Sequence, residues 1–122
     1  MAVVSPIGGN PIFIEKANAD PSILNQPRFA NAIGLVTQSG LIGEVVPVQY
    51  DDVLELTTAQ WDAVTDGVGG LMTGLTYYVS DVTSGHITTT SPGINSYRTI
   101  VGSALNTTQM LIMLGYRESP PP

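Results

Sequence analysis

The sequence predicts an all-β fold, a compact antiparallel sandwich or barrel of about eight short strands. Three observations predict it. Strand-like runs recur at spacings of about ten residues with Gly, Pro, Ser and Asn between them. Neither a strand–helix–strand alternation nor a heptad pattern is present. The stretch from Leu71 to Met113 is a succession of such runs with almost no charge.

A chain of 122 residues is one domain by size and can bury a real core without staples. We divide it into an extended N-terminal arm over residues 1–10, one β domain over 11–116 and a Pro-rich tail over 117–122. In the arm, Pro6 and the Gly8-Gly9-Asn10 cluster are expected to break any regular element. Residues 11–15 read as a short strand with Pro at its first position, where the missing N–H is tolerated. Residues 16–31 read as a loop, with room for a helical turn begun by Asp20-Pro21.

Residues 32–37 form the next strand, Gln38-Ser39-Gly40 turns, and 42–49 return. Gly43 suggests a bulge, and Pro47 places that strand at an edge or a break in pairing. Residues 53–56 follow the Tyr50-Asp51-Asp52 corner as a short strand. Residues 57–64 are the one helix, because Thr57 and Gln60 make a capping box and Asp66-Gly67 and Gly69-Gly70 end it. Trp61 is expected on the face turned to the sheet.

Strands are then expected at 75–80, 86–90, 97–105 and 110–114, with Ser91-Pro92-Gly93 as a turn and Gly102 as a bulge. The last is a continuous apolar run, which suits a central strand covered on both faces. Residues 117–122 read as an extended tail of polyproline type.

Composition narrows the function. Charged residues are 11% of the chain, against about 25% in an average domain. Four basic residues (Lys16, Arg28, Arg98, Arg117) face ten acidic ones, for a net charge of −6. Phosphate backbones and anionic membranes would repel such a chain, so neither nucleic acid nor membrane is an expected partner. There are no cysteines, which removes disulfides, thiolate metal sites and thiol catalysis and leans towards an intracellular origin. No apolar run nears the roughly 20 residues that span a bilayer, and no signal peptide is legible. A chain this poor in charge is expected to hide much of its surface against neighbours.

No constellation points to catalysis, a cofactor or a metal. His86 is the lone histidine and reads as a surface or interface residue; the alternative is a metal held by three symmetry-related copies. Asp51-Asp52 reads as a solvated turn, since adjacent aspartates diverge and no calcium loop is present. Asp62 and Asp66 read the same way. The serines lack a nucleophile elbow. The glycines at 67, 69 and 70 follow a helix instead of opening one, which suits a connection better than a phosphate cradle. Of Tyr77 and Tyr78, one faces the core and the other faces out, where it offers a stacking platform for carbohydrate. Candidate interface residues are Val3, Val4 and Ile7 of the arm, too short to make its own core, with Tyr77, Tyr97 and Tyr116. The arm packs on another subunit, or it folds back on its own domain.

The order of motifs resembles small β-rich virion proteins of phages: head decoration (cement) proteins, head fibres and tail-fibre modules. The residues that carry it are Gly9-Asn10-Pro11-Ile12-Phe13-Ile14, the runs 32–36 and 43–45, Trp61, residues 70–80 (GLMTGLTYYVS), 85–92 and 101–112. The likeness spans roughly residues 9 to 114, most specifically in the second half. It implies a non-enzymatic subunit that trimerises on a virus particle, assembled in the bacterial cytoplasm, with the major capsid protein as partner. A tail-fibre or baseplate module that binds host glycan through Tyr77 or Tyr97 is the alternative. An enzyme such as a cell-wall hydrolase is a third class, for which only isolated side chains are present. Removal of residues 1–8 is expected to leave the domain folded and weaken its attachment.

Overall fold

A computed structural model of the chain describes residues 2–8, 13–16, 34–36, 48–90, 98–114 and 117–118. The fold is all-β, with one short helix among the described residues. Two antiparallel sheets form, and neither closes into a barrel. The first holds β1 (Ala2–Gly8), β2 (Phe13–Lys16), β3 (Gly34–Val36) and β4 (Val48–Gln49), in the order β2-β1-β3-β4. The second runs β5-β9-β8-β6-β7, with β10 paired to β8. Its strands are β5 (Val53–Glu55), β6 (Thr76–Val79), β7 (Ile87–Thr88), β8 (Arg98–Ala104), β9 (Gln109–Ile112) and β10 (Arg117–Glu118). Ten strands among the described residues exceed the eight expected, because both terminal segments contribute one.

The N-terminal segment is extended, as expected, but Pro6 does not break it. β1 pairs with β2 along one side and with β3 along the other. Among the described residues only Ala2, Val3 and Val4 pair with β3, so beyond Val4 the described partners of the strand are those of β2. Pro6 stands in that half, where a missing N–H is tolerated, and the register shifts between Pro6 and Gly8. The expected helical turn at Asp20, the bulge at Gly43, Pro47, the turn at 91–93 and the tail beyond 118 lie outside the described residues.

Helix α1 (Thr58–Thr65) forms where its local chemistry demands. Thr57 Oγ1 accepts the Gln60 N–H at 3.2 Å, and Gln60 Oε1 accepts the Thr57 N–H at 2.9 Å. Asp66 ends the helix in the left-handed conformation. Trp61 and Val64 turn inward and are buried. The Trp61 indole N–H donates to the Thr108 carbonyl at 2.7 Å, which also accepts the Leu56 N–H at 3.0 Å. One oxygen thus ties the helix, the end of β5 and the β8–β9 turn together.

The core is continuous across both sheets. Leu35 of the first packs with Leu54, Tyr77, Val79, Ile87, Val101, Met110 and Ile112 of the second, around Trp61. Alternation sets which side chains enter it. In β5, β6 and β9 every second residue is buried. β8 carries a bulge: Tyr77 pairs with Gly102 but Tyr78 pairs with Ile100, which leaves Val101 as the extra residue beside the expected position. Val101 and Gly102 are therefore buried in succession. A Cβ at Gly102 would collide with the Leu111 carbonyl oxygen, so the close approach of β9 requires glycine there.

The run 110–114 corrects an expectation. β9 is central, between β5 and β8, but its second face is not fully buried. Met110 and Ile112 are buried, Leu111 is partly exposed and Met113 is exposed. The reason lies in the layering: the core occupies one side of this sheet, and no element of the described residues packs on the other.

Candidate functional site

The isolated acids and the histidine have structural partners. Asp62, in α1, uses Oδ2 and Oδ1 to accept the N–H groups of Gly69 at 3.1 Å and Gly70 at 2.8 Å. The loop after the helix is thereby clamped to it. Gly70 has φ +90° and sits so close to Thr107 that a Cβ would strike the Thr107 carbonyl oxygen, which accepts the Leu71 N–H at 2.9 Å. The glycine cluster is a fitted connection between helix and turn. Asp66 Oδ2 lies 3.1 Å from His86 Nδ1, linking the helix end to the start of β7. Asp66 is largely exposed, so this link contributes little to stability. Buried Ser80 accepts the Val82 and Thr83 N–H groups, both at 3.1 Å, and shapes the turn that leads to His86.

Asp51 and Asp52 form the exposed corner before β5, where Asp52 Oδ1 accepts the N–H of Val53 at 2.8 Å. The corner borders an open groove of about 660 Å³ between the edge strands β4 and β5. Leu35, Val48, Tyr50, Leu54 and Glu55 complete its walls. The groove brings carboxylates together with apolar side chains, and among the described residues neither a histidine nor a serine lines it. Among the described residues no three His, Cys, Asp or Glu side chains gather as metal ligands would. No helix of those residues is long and apolar enough to cross a membrane.

The candidate interface residues fall into three groups. Val4 and Tyr77 are 4% and 2% exposed, buried within the chain itself. The Tyr77 hydroxyl accepts the Met72 N–H at 2.8 Å. Val3 and Ile7 belong to β1, with Val3 opposite Leu35 in the ladder. Tyr97 and Tyr116 lie outside the described residues.

The arrangement that stands out is the outward side of the six-stranded sheet. Ladder pairing puts Val53, Leu111, Ser103 and Thr76 in one row across four strands. Ile100, Tyr78 and Thr88 make a second row across three. Each is an outward position in its strand's burial pattern, and none is charged. The sequence reading missed these residues, apart from Tyr78 as one of two choices. Apolar residues at both parities of 110–114 were the available signal.

No protein-family model, curated protein or solved structure matches this chain.

Proposed function

We propose that this chain is a non-enzymatic structural protein of a phage particle, a decoration protein that binds the outside of the head and ties neighbouring coat proteins together. The observation that carries the reading is the motif order along residues 9–114, on a chain with 11% charged residues. A sheet whose outward rows are neutral and partly apolar supports it, because such a face is costly to leave in water and suited to lying against another protein.

The mechanism is mechanical. A subunit that bridges coat neighbours adds buried surface that must be broken before the shell opens. About 1,000 Å² of apolar contact contributes on the order of 25 kcal/mol before association costs, which offset most of it. Repetition around a shell makes even weak contacts effective. The glycan-binding alternative is weakened at one of its two aromatics, since Tyr77 is interior.

Copy number decides the matter. Quantitative mass spectrometry of purified particles is expected to find the chain in many copies, on the scale of the coat protein. A handful per particle, as a tail or baseplate component would give, overturns the proposal.

A further inference from the structure

We infer that the hairpin of β1 and β2 is exchanged between copies of this chain, so that β1 of one copy seats on β3 of another. The inference deepens the assembly reading and rests on it for biological purpose, though not for the exchange itself.

The hairpin is tied more firmly to itself than to the body of the molecule. β1 and β2 share the ladder pairs Val4–Lys16, Ser5–Glu15, Pro6–Ile14 and Gly8–Phe13. Three pairs hold the hairpin to β3: Ala2–Val36, Val3–Leu35 and Val4–Gly34. β2 stands at the end of the sheet order, so among the described residues β3 is the hairpin's one strand neighbour. Val4 is buried, but it lies outside the core around Trp61, to which Leu35 is the first sheet's described contribution. The hairpin is therefore an outlying unit that can leave whole, with its own ladder intact.

Departure would bare the edge of β3. Unpaired N–H and C=O groups would then stand beside Leu35, which is fully buried. A strand with the sequence of β1 restores the same pairs, and a second copy of the chain brings one. None of the six paired residues is charged, so the net charge of −6 does not act at the seat itself.

Reach permits the exchange. Lys16, the last residue of β2, and Gly34, the first of β3, are separated by 17 residues. A chain of that length spans at most about 60 Å, against a diameter of about 35 Å for a domain of this size.

Distance, not area, sets the balance. The exchanged form makes the same contacts as the closed one, so the small size of the ladder weighs equally on both. What differs is concentration: a tether of this order of length holds its own hairpin at an effective concentration on the order of 1 mM. Single copies are thus closed in dilute solution, and exchange becomes effective where many copies are held side by side.

The chain has no cysteine, so two introduced thiols make the exchange readable. Ala2 and Val36 are ladder partners. Opposed Cα atoms in an antiparallel pair lie about 4.5–5.5 Å apart, within the span of a disulfide. Ala2→Cys and Val36→Cys chains are unfolded in urea, mixed, and refolded together at about 1 mM. Oxidation is expected to give the disulfide-linked heterodimer, read by mass spectrometry. Its yield should fall about tenfold or more when refolding is at about 10 µM. It should also exceed by about tenfold the yield of Ala2→Cys with Val68→Cys, an exposed position (97%) off the ladder. The chain carrying both Ala2→Cys and Val36→Cys should link within itself at the lower concentration. A heterodimer no more abundant than the Val68→Cys control, or a double variant that does not link within itself, overturns the inference. Circular dichroism reports folding. If a variant fails to fold, the wild type decides: refolded at about 1 mM and then diluted it should sediment as a dimer, and refolded at about 10 µM as a monomer. Monomers from both overturn the inference. Exchange found together with a handful of copies per particle leaves this inference standing and removes the decoration role; many copies without exchange do the reverse.

Discussion

The carboxylate of Asp62 accepts two backbone N–H groups from the loop that follows its own helix. Those groups belong to Gly69 and Gly70, whose positive φ values deny them a regular ladder. Charge-assisted bonds of this kind are stronger than neutral ones. We expect Asp62→Ala to lower stability by about 1–2 kcal/mol, and Asp62→Asn, which keeps one acceptor oxygen, by about half of that. Urea unfolding measures both. A loss below about 0.5 kcal/mol for the alanine variant would mean that the loop holds itself through its contact with Thr107. Sequence spacing alone assigned Asp62 to solvent, because its acceptor role depends on a chain reversal seven and eight residues further on. Tyr77 was undecided for a related reason. Parity says that adjacent tyrosines face opposite ways, but only the sheet's position relative to Trp61 and Leu54 says which one is inside.

Among the elements, α1 was legible almost to the residue. Its capping box and terminating Asp66-Gly67 are local chemistry and act whatever the rest of the chain does. The strands of the second sheet were legible from alternation and turn residues. Their order was not, since the pairing of β5 with β9 and of β6 with β8 depends on contacts distant in sequence. The outward rows depend on that order, so they were hidden with it. β1 was misjudged because Pro6 is a breaker only where both sides of a strand must pair. Its position between β2 and β3 adds a stability cost to the expected effect of truncation. Removing residues 1–8 takes out the strand that, among the described residues, joins β2 to the rest of its sheet. Thermal unfolding followed by circular dichroism should therefore show a clear drop in midpoint. An unchanged midpoint would mean that Leu35 keeps its place in the core without β1 beside it.

For the whole molecule, a net charge of −6 on 122 residues sets how copies of the chain meet. Salt screens that repulsion and leaves apolar contact intact. Raising ionic strength should therefore lower the repulsion between copies, read by light scattering as a falling second virial coefficient. A coefficient indifferent to salt would show that net charge does not govern how copies meet.

The single extra residue in β8 divides that strand into two half-strands of opposite phase. Before Val101 the even-numbered side chains, Arg98 and Ile100, look out; after Gly102 the odd-numbered Ser103 does. Loss of Val101 would make the pairs Tyr77–Gly102 and Tyr78–Ile100 consecutive and would leave Arg98 and Ile100 outward and Thr99 inward, as in a regular strand. Loss of a residue away from the bulge would instead roll one half over. The bulge is thus the one place in β8 that can give up a residue and keep the phase of both halves.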